Sequence, residues 1–295
     1  MIETPTVFIL GAGASMPYGY PSGQGLVDKI QSNLSEEGGN SYKKLIEKFK
    51  REDIEKLRYA LFYSGKSSVD AFLEHRTEFK DIGKLSMALE LIPHEIPQKL
   101  FNNASGKWYT YFYNRLNTSF EDFHKNKFSV ITFNYDRSFE QFLFMAIKNS
   151  YGKSDEECAE KIKKIPIIHV HGKLGNLPWE GGKTREYHGN LNVDLSESSE
   201  GIRIIHDAGD DDVEFEKARK ELDKAENIYF LGFGYNATNL RRLDITSYLD
   251  KTIKGTAVDI ATSERNSIYK IIPHNKINLG GYDALNFLRN LVNFE

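Results

Sequence analysis

Short apolar runs alternate with longer segments of helical period along most of the chain. The runs Thr6 to Leu10, Phe128 to Phe133, Pro166 to Val170, Asn227 to Leu231 and Thr256 to Ile260 are mostly apolar on both faces and predict buried strands. A weaker sixth run spans Lys276 to Leu279. Between and after them, Phe139 to Lys148, Asp155 to Lys163, Val213 to Ala225, Asn239 to Leu249 and Tyr282 to Val292 carry helical patterns. Strands alternating with helices predict an α/β fold whose parallel sheet is covered on both faces.

Residues 25 to 127 break this rhythm. They offer helical segments at Leu26 to Leu34, Tyr42 to Tyr63, Val69 to Glu78, Ile82 to Leu91 and Trp108 to Phe123, and no convincing strand. The stretch reads as a large helical insertion after the first strand, so residues 1–24 and 128–295 form the sheet domain and residues 25–127 an insertion subdomain. Gly38, Gly39 and Asn40 mark one loop inside it; Pro93, Pro97 and the Asn102-Asn103 pair mark another break. Residues 172 to 212 are rich in Gly, Ser, Asn and Asp and predict a long functional loop, with room for a short strand at Ile202 to Ile205. The acidic run Asp210 to Asp212 reads as the charged start of the helix after it. The aromatic cluster around Trp108, Tyr109 and Phe112 reads as core of the insertion.

Composition narrows the function. Lys and Arg total 39 against 42 Asp and Glu, a net charge of -3, so no broad electrostatic attraction to nucleic acid is expected. No run approaches the roughly 18 apolar residues of a membrane helix. The start MIETPTVFIL has Glu3 where a secretory leader carries positive charge, and the expected location is cytoplasmic. The single cysteine, Cys158, excludes an intrachain disulfide framework and a zinc site built on Cys pairs.

Chemistry concentrates at the ends of the predicted strands. Gly11-Ala12-Gly13-Ala14-Ser15 follows the first, and its glycines are expected to let backbone amides approach a phosphate; a second turn carries Gly19, Tyr20, Pro21 and Ser22. Gly-x-Gly turns also occur without a ligand, so this signal alone leaves both readings open. Met16 stands where the dinucleotide fingerprint of hydride-transfer enzymes needs its third glycine, and no Gly-Lys-Ser or Gly-Lys-Thr follows Gly11. Asn134 and Asp136 lie past the second strand, His171 and Gly172 past the third, and Gly232, Phe233 and Gly234 past the fourth. A carboxamide, a carboxylate and an imidazole are thereby expected near the glycine turn. Each has a plainer reading: Asn134 and Asp136 as helix caps, His171 as a strand-end residue, Asp259 as a turn residue. His169, two positions before His171, reads as structural with its ring on the same side, and a metal reading of His-Val-His lacks further ligands.

In order and rough spacing, the Gly11–Ser15 turn, Asn134-Tyr135-Asp136, His171-Gly172 and Gly232-Phe233-Gly234 resemble the sirtuin-like (silent information regulator) superfamily. The resemblance is to a divergent, zinc-free bacterial branch of NAD-consuming proteins associated with antiphage defence. It implies a Rossmann-like sheet with a helical insertion, NAD as the substrate, and no metal. Protein-deacylating relatives carry a cysteine-built zinc module and Gly-Ile-Pro-Asp-Phe-Arg after the turn. This chain has one cysteine and Gly19-Tyr20-Pro21-Ser22-Gly23-Gln24. What the resemblance then implies is an NAD glycohydrolase that releases nicotinamide and ADP-ribose. Its alternatives are a non-catalytic NAD or ADP-ribose sensor and a zinc-free deacylase or ADP-ribosyltransferase. Asn134 would position the nicotinamide ribose or water, Asp136 would bind the carboxamide, and His171 would accept a proton. Gly11, Ala12, Gly13, Ala14, Ser15, Pro21, Gly232, Phe233, Gly234 and Asp259 would hold the dinucleotide. A homo-oligomer, or a regulatory partner such as a sensor or ATPase, would gate the activity.

Overall fold

The computed structural model describes residues 1–102, 106–204 and 213–294. Asn103, Ile205 and the run Asp210 to Asp212 lie outside the described residues. Six parallel strands, β1 (Thr6–Leu10), β2 (Phe128–Thr132), β3 (Ile167–His169), β4 (Asn227–Leu231), β5 (Thr252–Thr256) and β6 (Ile277–Gly280), form one sheet in the order β3-β2-β1-β4-β5-β6. This is the doubly wound, Rossmann-like order, and chain direction across it reverses between β1 and β4. β1 and β2 are buried along their whole length, as their apolar sequences require.

Successive side chains of β1 feed two different cores. Phe8 and Leu10 belong to a large cluster shared with residues of the helical stretch, while Val7 and Ile9 face a second cluster with Phe215, Leu222 and Ile268. All described elements between β1 and β2 are helical. They share the first cluster with the sheet rather than enclosing a core of their own. No helix among the described residues is long and apolar enough to cross a membrane.

Several expectations shift, among them the helices expected at Val69 to Glu78 and Trp108 to Phe123, which end at Leu73 and Arg115. The fifth strand lies at Thr252–Thr256 rather than at the apolar run 256–260, because Lys254 and Gly255 dilute its pattern. Both have a structural reason: Lys254 Nζ donates to the Leu291 carbonyl at 2.8 Å, and the Tyr235 hydroxyl occupies the space where a Cβ on Gly255 would stand. Asp259 falls in the turn after the strand, at φ 57. The expected helix 42–63 is two helices, Gly39–Ile46 and Arg51–Ser64, with Lys50 extended between them. In the region expected to hold a helix from 239 to 249, Ala237–Arg242 ends before Asp244, which takes φ 53 and starts a short 3₁₀ turn. The short strand expected at 202 is an isolated antiparallel bridge between Ile202 and Gly172.

The β1 and β4 turns are joined to each other by backbone hydrogen bonds. Gly11 N donates to Leu231 O at 3.0 Å, and Gly13 N to Gly232 O at 2.9 Å. A Cβ on Gly11 would lie 2.6 Å from Gly232 O, and one on Gly232, itself at φ 58, would lie 2.1 Å from Ala14 N. Gly232→Ala is therefore expected to destabilise the fold by about 3 kcal/mol or more, combining left-handed strain with a backbone clash. Gly152 has similar geometry, φ 62, with nothing within 4 Å of the added Cβ. Gly152→Ala should cost only about 1–2 kcal/mol. Urea unfolding of the two variants checks the difference.

Candidate functional site

Open sheets of this order bind ligands beyond the carboxyl ends of their strands, at the point where the order reverses. Two adjoining cavities lie there. The smaller, ≈ 320 Å³, is lined by Gly11, Ser15, Asn134, Asp136 and His171. The larger, ≈ 1090 Å³, is lined by Gly13, Gly232, Thr256 and Asp259. Ser22, Phe233 and Gly234 line both, so the β4 turn stands between two lobes of one crevice. A cavity of ≈ 1410 Å³ elsewhere is formed by the helical stretch around Tyr59, Phe62 and Tyr63, away from every strand end.

The smaller lobe is built on Asn134. Its Nδ2 donates to Gly11 O at 2.9 Å and to Ser15 Oγ at 3.0 Å. The Gly11 carbonyl can only accept, so the amide orientation is settled and both its protons are used. Oδ1 is then the group this side chain can offer a ligand, as an acceptor. The backbone amide of Asn134 donates to Thr132 Oγ1 at 3.1 Å, and its carbonyl lies 3.0 Å from His169 Nδ1.

Asp136 is buried, which pushes its carboxyl above the usual range against the opposing hydrogen bonds of Ser138 and Ser15. Its Oδ1 accepts from Ser138 N at 3.1 Å and from the Ser138 hydroxyl. Tyr109 OH lies 2.7 Å from Ser138 Oγ and feeds the same network. This carboxylate thus joins the turn before helix Ser138–Tyr151 to the floor of the crevice.

The two histidines of the third strand region diverge, contrary to the ideal-strand expectation. His169, in β3, turns toward helix Ser138–Tyr151 and meets Glu140, whereas His171, past the strand end, packs its ring against Phe133 at 5.3 Å and Phe215 at 5.8 Å. Only His171 lines the smaller cavity. Among the described residues, no group of three or more His, Cys, Asp and Glu side chains is placed to hold a metal ion.

The other candidates divide. Ala12 and Pro21 line the smaller lobe; Ala14 is fully buried and lines neither, its carbonyl accepting from Trp108 Nε1 at 2.9 Å. The Gly11 and Gly13 amides, expected to face a phosphate, are spent on β4 carbonyls. Their lack of side chains serves the contact between the two turns. Sequence reasoning missed Asp70 and Ser68, brought to the smaller lobe by the helical stretch, where Tyr135 OH donates to Asp70 Oδ1. It also missed Asn236 and Asn239 past the Gly232-Phe233-Gly234 turn, where the polar pattern of YNATN was a usable signal. Glu264 and Asp283 join Asp259 in the larger lobe, whose described lining contains no lysine or arginine.

The loop after His171 is pinned from beneath by a buried ion cluster. Arg137 Nε and Nη2 donate to the two oxygens of Glu95 at 2.9 and 2.8 Å, and Arg185 Nη1 reaches Glu95 at 2.6 Å. Arg137 also donates to the carbonyls of Asn176, Arg185 and Glu186. Tyr20 OH meets Tyr187 OH at 3.0 Å and ties the Pro21 turn to the same loop.

No protein-family model and no curated protein matches this chain. Solved structures similar to it include a Sir2 homologue in complex with NAD, at 14% identity and TM-score 0.43, covering 96% of this chain and 86% of that one. Another is Sir2Tm bound to a propionylated peptide, at 14% identity and TM-score 0.40, covering 97% and 91%. The strand order and register define the fold independently of these similarities.

Removing Glu95 would leave two buried guanidinium groups facing each other without their anion. Glu95→Ala is expected to destabilise the protein by about 3–5 kcal/mol. Chemical denaturation measures this, and faster proteolysis between residues 172 and 204 should accompany it.

Proposed function

We propose that this chain is an NAD glycohydrolase: it binds NAD across the β1–β4 edge and cleaves the nicotinamide–ribose bond, giving nicotinamide and ADP-ribose. The observation that supports this most is the two-lobed crevice at the reversal point, with the Asn134 carboxamide oxygen and His171 together in its smaller lobe. The nicotinamide end belongs in the smaller lobe and the adenosine end in the larger.

Cleaving this bond develops oxocarbenium character on the ribose, and the cationic nicotinamide leaves without a strong acid. The catalytic demand is to hold the sugar, admit one nucleophile and exclude other water. Asn134 Oδ1 would accept from the attacking water or a ribose hydroxyl. His171 would take the proton released on attack, a task suited to imidazole. Phe133, Phe233 and Leu91 supply apolar walls around them. Asp136, engaged by Ser138, would reach the nicotinamide carboxamide with its remaining acceptor capacity. A role as a gated, NAD-depleting effector of antiphage defence, restrained by self-association or a partner, follows from the sequence resemblance.

Incubation of the purified protein with NAD should release nicotinamide, and Asn134→Ala and His171→Ala should each lower kcat by about 10²-fold or more. NAD bound and recovered intact would instead establish a sensor. Nicotinamide release only on adding an acyl-peptide or protein acceptor would establish a transferase or deacylase.

The larger lobe makes a second prediction. Asp259, Glu264 and Asp283, with no lysine or arginine among the described lining residues, should disfavour a 2′-phosphate, so NADP is expected to bind about tenfold or more weaker than NAD. Competition of the two nucleotides in calorimetry checks this, and Asp259→Ala should narrow the gap.

A further inference from the structure

The buried pair Glu140 and His169 has no part in the chemistry just described, and its geometry gives it a different task. His169 Nε2 lies 2.5 Å from Glu140 Oε1, and both side chains are almost fully buried. Burial raises the Glu140 carboxyl, but the adjoining His169 ring outweighs it and the net shift is downward, to about 2. Glu140 is thus an acceptor, as is the Asn134 carbonyl 3.0 Å from Nδ1. The Asn134 carbonyl can only accept, so His169 Nδ1–H donates to it, while Nε2 faces the Glu140 carboxylate. Lys173 and Asp136 are the other charged groups whose fields reach Glu140.

We propose that Glu140 and His169 are positioning residues of the nucleotide site, fixing the Asn134 backbone so that its side-chain oxygen faces the crevice. This rests on the reading of Asn134 as a catalytic group. Asn134 follows β2 without belonging to it, so the ladder does not hold its peptide plane. Three side-chain or backbone contacts hold the amide group and main-chain N–H; the carbonyl is held by His169. Releasing that carbonyl would free the peptide after Asn134 to rotate and remove one of the four contacts that fix this residue, loosening the hold of Nδ2 on Gly11 O and Ser15 Oγ. A buried polar pair of this kind is a weak source of net stability because desolvation offsets its attraction. The one group outside the pair to which the His169 ring donates is a residue of the site, which gives the pair its use.

The test compares two double variants of the full chain. Glu140→Leu with His169→Leu removes the charge and the donor together, leaving no isolated buried charge. Glu140→Gln with His169→Asn removes the charge but keeps an amide N–H near the place of Nδ1. The leucine pair should lower kcat for NAD cleavage at least tenfold with KM within twofold, and should add less than twofold to the loss in Asn134→Ala. The Gln/Asn pair should retain kcat within about threefold. Exchange of the Asn134 side-chain amide protons, followed by ¹⁵N NMR, should accelerate at least tenfold in the leucine pair and stay near wild type in the Gln/Asn pair. Unchanged kcat or unchanged amide exchange in the leucine pair would overturn the assignment, as would a loss that multiplies with Asn134→Ala. A wild-type protein that cleaves no NAD refutes the hydrolase reading, and the NMR comparison then decides positioning by itself.

Discussion

The contact on which the site depends is made entirely of backbone. Two amides of the β1 turn enter hydrogen bonds with two carbonyls at the end of β4, and the close approach leaves no room for a Cβ on Gly11 or Gly232. This joins the halves of the doubly wound sheet at the place where their connections diverge. Asn134 then hangs from the Gly11 carbonyl and Ser15, and Phe233 stands at the boundary of the two lobes. The glycines are thus primarily architectural, and the crevice is what the architecture leaves open.

Around that contact, the polar groups are ordered by what they can accept or donate. Asn134 spends both amide protons on the protein and offers an oxygen. Ser15 takes one of those protons, and Asp136 collects both the amide and the hydroxyl of Ser138. Few directions remain free in such a network, so the ligand-facing atoms are set before any ligand arrives. The loop beyond His171 is held by charge instead, with one glutamate shared between two arginines.

Much of this was legible in the residues. Strands β1 and β4 were bounded to the residue, because each is an unbroken apolar run between polar turns, and the clustering of candidate side chains at strand ends followed from parallel topology. What escaped has a physical pattern. β5 was displaced because Gly255 and Lys254 are chosen by partners far along the chain, the Tyr235 hydroxyl and the Leu291 carbonyl. The glycine amides were assigned to a phosphate because local sequence does not reveal a neighbouring strand's carbonyls. Asp70 reached the crevice through a helix whose packing no local period records. The expectation for His169 and His171 failed because alternation holds only inside a strand, and β3 ends between them.

Trp108 gives the molecule a property of another kind. Its indole N–H is bonded to the Ala14 carbonyl, its backbone N–H to the Tyr18 hydroxyl, and its ring is stacked on Phe139. The chain has only two tryptophans, and the other, Trp179, belongs to the loop beyond His171 and is stacked on Phe144. Indole emission depends on the polarity and hydrogen bonding around the ring. The glycine turn therefore carries its own optical reporter, and a Trp179→Phe chain would signal from that turn alone, without a label.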